Sequence, residues 1–420
     1  MASTQPPSFD PTDLRSQGPV PDSAGFPRRA PAHPYYVVAP RYVRTSAGIK
    51  ALHLLCHCLN RAGLEAHVAI YPGAPEPDRT DPELLTPVLT AATAARHRAL
   101  GLSPILVYPE TVAGNPLGGR TLVRYVLNFP GLLGGDAAYP PGDMVYGYSR
   151  VLAEAAGAGP GRVLFVPASD AAVFSPGPPA DSPERRGACF WASKYRLVHG
   201  APLRPETEGA AEITRDLPDS PTPREIAALF RRCEVFYAYE NTALALEAAL
   251  CLCPTVFLPN PWLTEAIAAK ELGWDGFAWG TDPAEVARAR ATVHLARERY
   301  LATYSGFWDQ LAVFARETQA RAAEDAARHG GFPSVLARRL AWRPRLEYAA
   351  HLGRATLLVL RREGPGSAAH RAARRVGRAL RPRLGHVALV ARVAADVLRR
   401  EGLGSVLRRA RRRLGGRGGD

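Results

Sequence analysis

Short apolar runs alternate with amphipathic stretches along most of this chain. The run Tyr35-Tyr36-Val37-Val38-Ala39 predicts a buried strand. After a loop from Pro40 to Thr45, Ser46 can cap a helix running to about Ala62. Ile49, Leu52, Cys56 and Leu59 form its apolar face, and Gly63 stops it. Glu65 to Ile70 predicts the next strand, so the chain opens as a parallel βαβ unit. Pro104 to Tyr108 predicts a strand ending at Pro109-Glu110. Leu117 to Leu127 predicts a helix, and Met144 to Tyr146 and Val163 to Val166 predict further strands.

A proline-rich break, Ser175 to Pro179 with charged residues to Arg186, then reads as a linker. The alternation restarts beyond it. Strands are expected at Ala188–Trp191, Glu212–Thr214, Glu234–Ala238 and Thr255–Leu258. Helices are expected at Pro223–Arg232, with Ile226, Leu229 and Phe230 inward, at Asn241–Cys251, and from Pro283 to about Arg328. Two series of βα repeats split by a linker imply an α/β protein with two Rossmann-like domains facing each other across a cleft.

The ends differ from this body. Residues 1–34 carry eight prolines and few large apolar side chains, which predicts a disordered leader. The expected domains are then 35–176 and 187–330, joined by the linker 177–186. Residues 331–420 form an arginine-rich helical tail broken at Gly364-Pro365-Gly366, Pro382 and Gly402. That tail holds 22 arginines and 5 acids, a net of +17, whereas residues 1–330 hold 31 basic and 34 acidic residues, a net of −3. The overall charge of +14 therefore describes the tail, and the nearly neutral body does not look like a nucleic-acid surface. Val390, Val393, Ala394, Val397 and Leu398 make an apolar stripe flanked by Arg392, Arg399 and Arg400, as in helices that lie on anionic membranes. Phosphate contacts to a nucleic acid, or a disordered basic extension, are the other readings of the tail.

No uncharged apolar run reaches the ~18 residues of a membrane span. The N-terminus lacks the basic and apolar segments of a signal peptide. Six cysteines, mostly in apolar stretches, read as reduced thiols of a cytoplasmic protein. Metal sites look poor. Cys56, His57 and Cys58 lie on one helix, where neighbours diverge by about 100°. Cys251 and Cys253 lack partners nearby, and no P-loop or complete dinucleotide fingerprint is present.

The segment Cys233 to Asn260 carries the clearest chemistry. Asn241 or Thr242 can cap a helix whose free N–H groups hold a phosphate. Glu247, nearly two turns on, would lie roughly 8–9 Å from the helix start, within reach of ribose hydroxyls. A capped structural helix with Glu247 facing solvent is the bland reading. Ser46 and Gly48 open another helix after the first strand, where Gly48 lets a ligand approach the backbone. Lys50, His53 and His57 share one face of that helix, either toward the cleft or toward solvent. Glu110 follows a strand end and is the best carboxylate for acid/base work there, with Asp136 and Asp143 as alternatives.

Leu246-Glu247-Ala248-Ala249 followed by Cys251-Leu252-Cys253-Pro254-Thr255-Val256 resembles the nucleotide-binding motif of GT-B glycosyltransferases of the family 4 type. That family has another glutamate where Tyr239 stands, one residue before Glu240, and a glycine where Leu252 stands. Val163 to Asp170 with Phe174-Ser175-Pro176 resembles the interdomain crossing of the same enzymes, and Phe190 to Arg196 stands where their second domain begins. The resemblance implies a glycosyltransferase of the hexosyltransferase type, with 35–176 taking the acceptor and 187–330 the nucleotide-sugar. It implies Glu247 at the donor ribose and Lys194 at the leaving diphosphate. Arg196, Glu240, Asn241, Thr242 and Thr214 complete the donor site, and Ser46 and Gly48 form the glycine loop. No metal or cofactor is expected, since the nucleotide-sugar is a substrate. The acceptor is expected to be a polysaccharide or lipid-linked saccharide, with the enzyme peripheral at the inner face of the plasma membrane and nucleic acid not a partner. A nucleotide-sugar epimerase of the same fold and a non-catalytic membrane-associated scaffold are the alternatives.

Overall fold

The structure, a computed structural model, describes residues 13–18, 20, 25–26, 32–71, 80–159, 161–177, 184–197, 199–214 and 220–341. Two five-stranded sheets carry the fold, and every strand pairing in both is parallel. The first holds β1 (Tyr35–Ala39), β2 (Ala66–Ile70), β3 (Ile105–Pro109), β4 (Thr121–Val126) and β5 (Met144–Gly147) in the order β2-β1-β3-β4-β5. The second holds β6 (Ala188–Trp191), β7 (Ala211–Glu212), β8 (Val235–Ala238), β9 (Thr255–Phe257) and β10 (Phe277–Trp279) in the order β7-β6-β8-β9-β10. Both sheets thus share one doubly wound topology, with the order reversing beside the first strand.

The helices form where caps and apolar faces coincide. In α1 (Ala47–Arg61) the Ser46 side chain accepts from Ile49 N at 3.4 Å, and Leu52, Leu55, Cys56 and Leu59 are buried. Two short helices join it in the first half, α2 (Ala91–Ala99) and α3 (Arg150–Ala155), and α4 (Ser193–Leu197) follows β6 at the start of the second. A capping box of Thr222 and Glu225, with Pro223 in the first turn, starts α5 (Pro223–Arg232). Next come α6 (Leu244–Leu250) and α7 (Ile267–Leu272). Asp282 caps α8 (Pro283–His329), a 47-residue helix about 70 Å long. It packs on β10, α6 and α7 of the second half, then on β3 and β4 of the first. A last helix, α9 (Ser334–Ala341), rests against α2.

Five sequence expectations change here. The segment expected as a helix from Leu117 to Leu127 contains strand β4, in parallel register with β3 and β5. Val163 to Val166 is not a strand beyond a single bridge from Val163 to Gly147. Its backbone is shared between the sheet and α8: Leu164 N donates to Gly147 O at 2.9 Å, Phe165 N to Gln310 Oε1 at 2.8 Å and, just beyond, Ser169 N to the Tyr300 hydroxyl at 3.2 Å. The helix expected from Asn241 begins only at Leu244. The leader is ordered in part. Leu14 is buried in the core, and the Arg61 side chain donates to Asp13 O and Gly18 O, both at 2.8 Å. Residues 331–336, assigned to the tail, return to the first sheet. Arg120 holds the carbonyls of Gly330 and Gly331 at 2.6 and 2.9 Å, and Leu336 is fully buried. The rest of the tail, 342–420, with the stripe Val390–Leu398, lies outside the described residues. No helix among the described residues is long and apolar enough to cross a membrane.

Candidate functional site

A cavity of about 190 Å³ opens between the two sheets, lined by loops that follow the carboxyl ends of β1, β4, β5, β8 and β9. Open α/β sheets place ligands at strand ends of this kind. The first half supplies the opening turn of α1 (Ala47, Gly48), Asn128 and Tyr148. The second supplies Asn241, Thr242 and Glu271. The sequence-predicted Gly48, Asn241 and Thr242 therefore meet in one place, although about 200 residues separate the glycine loop from the other two. The first-turn N–H groups of α1 have no intrahelical acceptor and border this space. A Cβ on Gly48 would meet nothing nearer than Leu127 Cδ1 at 3.7 Å, so the glycine keeps the wall low without being required by its own backbone.

Asn241 does not cap α6. Its Oδ1 accepts from Ile267 N and its Nδ2 donates to Glu265 O, both at 2.9 Å, so it fastens the start of α7 to the strand end of β8. Thr242 precedes the cap residue Ala243, and its Oγ1 accepts from Leu244 N, the first N–H of α6, at 3.2 Å. Because α6 starts late, Glu247 stands in its first turn. Its side chain is fully buried and does not line the cavity. The Lys50 ammonium lies 3.5 Å from Glu247 Oε1, and the Ser169 hydroxyl donates to the same oxygen at 3.4 Å. Glu247 thus ties the second half to α1 and to the crossing segment.

The acid/base candidate Glu110 is also buried away from the cavity lining. Its Oε2 accepts from Leu127 N at 2.9 Å, which fixes the backbone that leads to Asn128, and burial raises its pKa. Asp136 accepts from Gly114 N at 2.6 Å, and Asp143 pairs with the buried Arg124 at 2.6 Å. Both are structural here. His53 and His57 are fully buried rather than facing the cleft or solvent. Leu85 N donates to His57 Nδ1 at 2.7 Å, so Nε2 carries the proton and donates to Ser16 O at 3.1 Å.

The carboxylate that does line the cavity is Glu271, on α7. It has no signal in the sequence, where Ala268-Ala269-Lys270-Glu271 reads as an ordinary helical surface. Burial raises its pKa to about 7, against a smaller opposing effect of the nearby Ser149 hydroxyl. Ser149 also caps α3, so this contact reaches from the second half to the first.

The remaining donor-site candidates lie around β6 and β7. Lys194 is on α4, and its side chain lies outside the described atoms. Arg196 is exposed and engages both oxygens of Glu212 at 2.8 and 2.6 Å. Thr214 follows the edge strand β7, and Glu240 is half-buried just after β8. Tyr239, where the resembling family has glutamate, points into the core. Its hydroxyl accepts from Arg204 N at 2.7 Å and meets Thr207 Oγ1 at 2.8 Å. Leu252, where the family has glycine, has φ +57°, the left-handed conformation that glycine adopts without strain.

A second cavity, about 510 Å³, is lined by Arg15, Leu54, Asp170, Arg297 and Tyr304 among others. It includes no strand-end loop of the second sheet and brings together none of the candidate residues.

No protein-family model and no curated protein sequence matches the chain. Among solved structures, the chain is similar to the crystal structure of AviGT4, a glycosyltransferase involved in avilamycin A biosynthesis. The identity is 16%, over 69% of this chain and 98% of that one, with a TM-score of 0.34. It is also similar to CalG4, the calicheamicin glycosyltransferase, at 15% identity over 71% of this chain and 98% of that one, with a TM-score of 0.30. Neither likeness is close enough to transfer a function.

Proposed function

We propose that the cleft between the sheets binds a nucleotide-sugar and transfers its sugar to an acceptor hydroxyl. The observation that carries this reading is Glu271, a half-buried carboxyl set in a strand-end cavity to which both sheets contribute. The sequence resemblance at 163–196 and 234–258 supplies the substrate class. The diphosphate would meet the first turn of α1 and the Asn241–Thr242 loop, where backbone N–H groups favour an anion. Lys194, and Arg196 once released from Glu212, would add charge against the leaving group.

In the transfer step the acceptor oxygen bonds to the anomeric carbon while that carbon's bond to the diphosphate oxygen breaks. The nucleoside diphosphate leaves with the bonding pair. The acceptor proton passes to the Glu271 carboxylate, whose pKa near the working pH suits a general base. Glu110 and Glu247 act behind the site, holding the Leu127–Asn128 backbone and the α1–α6 contact. A polysaccharide or lipid-linked saccharide as acceptor, a hexose as the transferred sugar, and catalysis without a bound metal remain part of this proposal. So does an anionic membrane surface as the tail's partner.

Glu271→Gln keeps the shape and removes the base. It is expected to lower acceptor-dependent release of nucleoside diphosphate by roughly two orders of magnitude or more while nucleotide affinity is retained. Unchanged turnover would remove Glu271 from the chemistry.

A further inference from the structure

At the opposite end of the first sheet, near the amino ends of β1 and β2, three metal-ligating side chains converge. Glu65 precedes β2, His67 lies on β2 and His97 on α2, and their ligand atoms all lie within 4.8 Å of one another. Glu65 Oε1 is 2.9 Å from His67 Nε2 and 2.8 Å from His97 Nε2. The Arg96 guanidinium contacts the same oxygen. Three nitrogen groups thus crowd one carboxylate oxygen that has two lone pairs.

The hydrogen bonds of this cluster do not close. His97 is fully buried, with Nδ1 2.7 Å from the Tyr36 hydroxyl and Nε2 3.0 Å from Arg96 Nη2. If His97 Nε2 carries a proton, it suits Glu65 but opposes the Arg96 donor. If Nε2 is bare, it suits Arg96 but sets a lone pair against Glu65 Oε1. His67, 8% exposed, has a buried Nδ1 without a hydrogen-bond partner. A cation between the three ligand atoms resolves the conflict. Both Nε2 atoms and Oε1 would point lone pairs at it, and His97 Nδ1–H would donate to the Tyr36 hydroxyl, the orienting contact that ligating histidines normally make.

We propose that Glu65, His67 and His97 bind a divalent transition cation, zinc above all, with water completing the shell. Two imidazoles and a carboxylate are a donor set that zinc accepts. Arg96, whose side chain is 52% exposed, swings outward to admit the ion. The site staples α2 to the edge strand β2. That helix buries only Ala94 and His97 of its own residues, so the ion supplies an attachment that apolar packing does not. The site is independent of the cleft, which lies at the carboxyl ends of the strands.

The test uses the full chain, stripped with chelator and titrated with Zn²⁺ against a chromophoric competitor, then with Co²⁺ as a spectroscopic probe. One Zn²⁺ per chain is expected, with a rise in Tm. Cobalt is expected to show the d–d absorption of a four- or five-coordinate N/O site, without the thiolate charge-transfer band that a cysteine site gives. Glu65→Gln and His67→Gln should each weaken zinc binding at least roughly tenfold and abolish the Tm rise, with the circular dichroism unchanged. Absence of stoichiometric binding would overturn the proposal. So would a thiolate spectrum, or affinity unchanged in both variants. If one variant fails to fold, the other variant and the wild-type cobalt spectrum decide.

Discussion

The two sheets share a strand order but are held together by different chemistry. The first half buries His53, His57, Arg61, His67, His97, Glu110 and Arg124, each tied into a hydrogen-bond or ion-pair network. The second half surrounds its strands with Cys189, Cys233, Cys251 and Cys253 and with aromatic pairs such as Phe230–Phe236 and Tyr195–Tyr239. Its three described histidines, His199, His294 and His329, are exposed. One topology therefore tolerates either a polar-networked interior or a more apolar one, in which Glu247 is the buried charge. The polar version has more to lose when a single partner is removed or its charge changes.

The largest expected effect is at Arg124. Its guanidinium pairs with Asp143 at 2.6 Å and lies 5.3 Å from the Tyr108 ring centroid, with only 2% of its side chain exposed. Arg124→Ala strands a buried carboxylate and should cost about 3–5 kcal/mol in urea denaturation. Cys189→Ala, on the interior strand β6 of the second sheet, should cost about 1 kcal/mol, since it removes one small buried group. Equal losses at the two positions would erase the contrast.

Acid should act on the first half through its buried histidines. Burial, with Arg61 nearby, lowers the His57 pKa to about 4. The unfolded chain takes up a proton near pH 6.5 that the folded chain refuses until about pH 4. His57 thus costs stability progressively across that window as pH falls, at most about 3 kcal/mol. His57→Gln can still accept from Leu85 N and donate to Ser16 O, and it should flatten the urea midpoint between those pH values. An unaltered slope would place the acid sensitivity elsewhere.

Glu271 should give the opposite sign. Its folded pKa of about 7 lies above the unfolded value near 4.3, so the folded chain holds the proton longer. Stability from this group is present at low pH and is lost as pH rises through 7, by about 1–3 kcal/mol. Its neighbours are the Tyr148 phenol and the Ser149 hydroxyl. Glu271→Gln should remove this decline, which pH-dependent denaturation reads directly. The smallest effect belongs to Leu252. Relief of its positive φ in Leu252→Gly is offset by lost packing and a more flexible unfolded chain, so the net change should stay within about 1 kcal/mol.

The same contrast explains what the sequence made legible. Apolar runs marked β1, β6, β8 and β9 to within a residue or so, and the helices expected from Pro223 and from Pro283 match α5 and α8 almost to the residue. The strand Thr121-Leu122-Val123-Arg124-Tyr125-Val126 was missed because Arg124 interrupts its apolar run. Only the fold shows that Asp143, Tyr108 and Tyr139 surround that charge. Polar residues of the first half were read as site candidates or solvated surface for the same reason. Glu110 and His57 look available in sequence, and their partners, Leu127 N, Leu85 N and Ser16 O, are backbone groups that no residue type reveals. Of the cleft, Gly48, Asn241 and Thr242 were legible from strand-end position. Glu271 was not, because only packing against Ser149 and Tyr148 distinguishes it from a surface glutamate.

Calorimetric titration of the full chain with UDP, GDP and dTDP, and with their sugar conjugates, tests the cleft most directly. One nucleoside diphosphate should bind with one-to-one stoichiometry. Gly48→Val, which fills the wall beside α1, and Asn241→Ala, which frees the start of α7, should each weaken that binding at least roughly tenfold. Failure of every nucleotide to bind, or binding that ignores both substitutions, would contradict a nucleotide-sugar site between the two sheets.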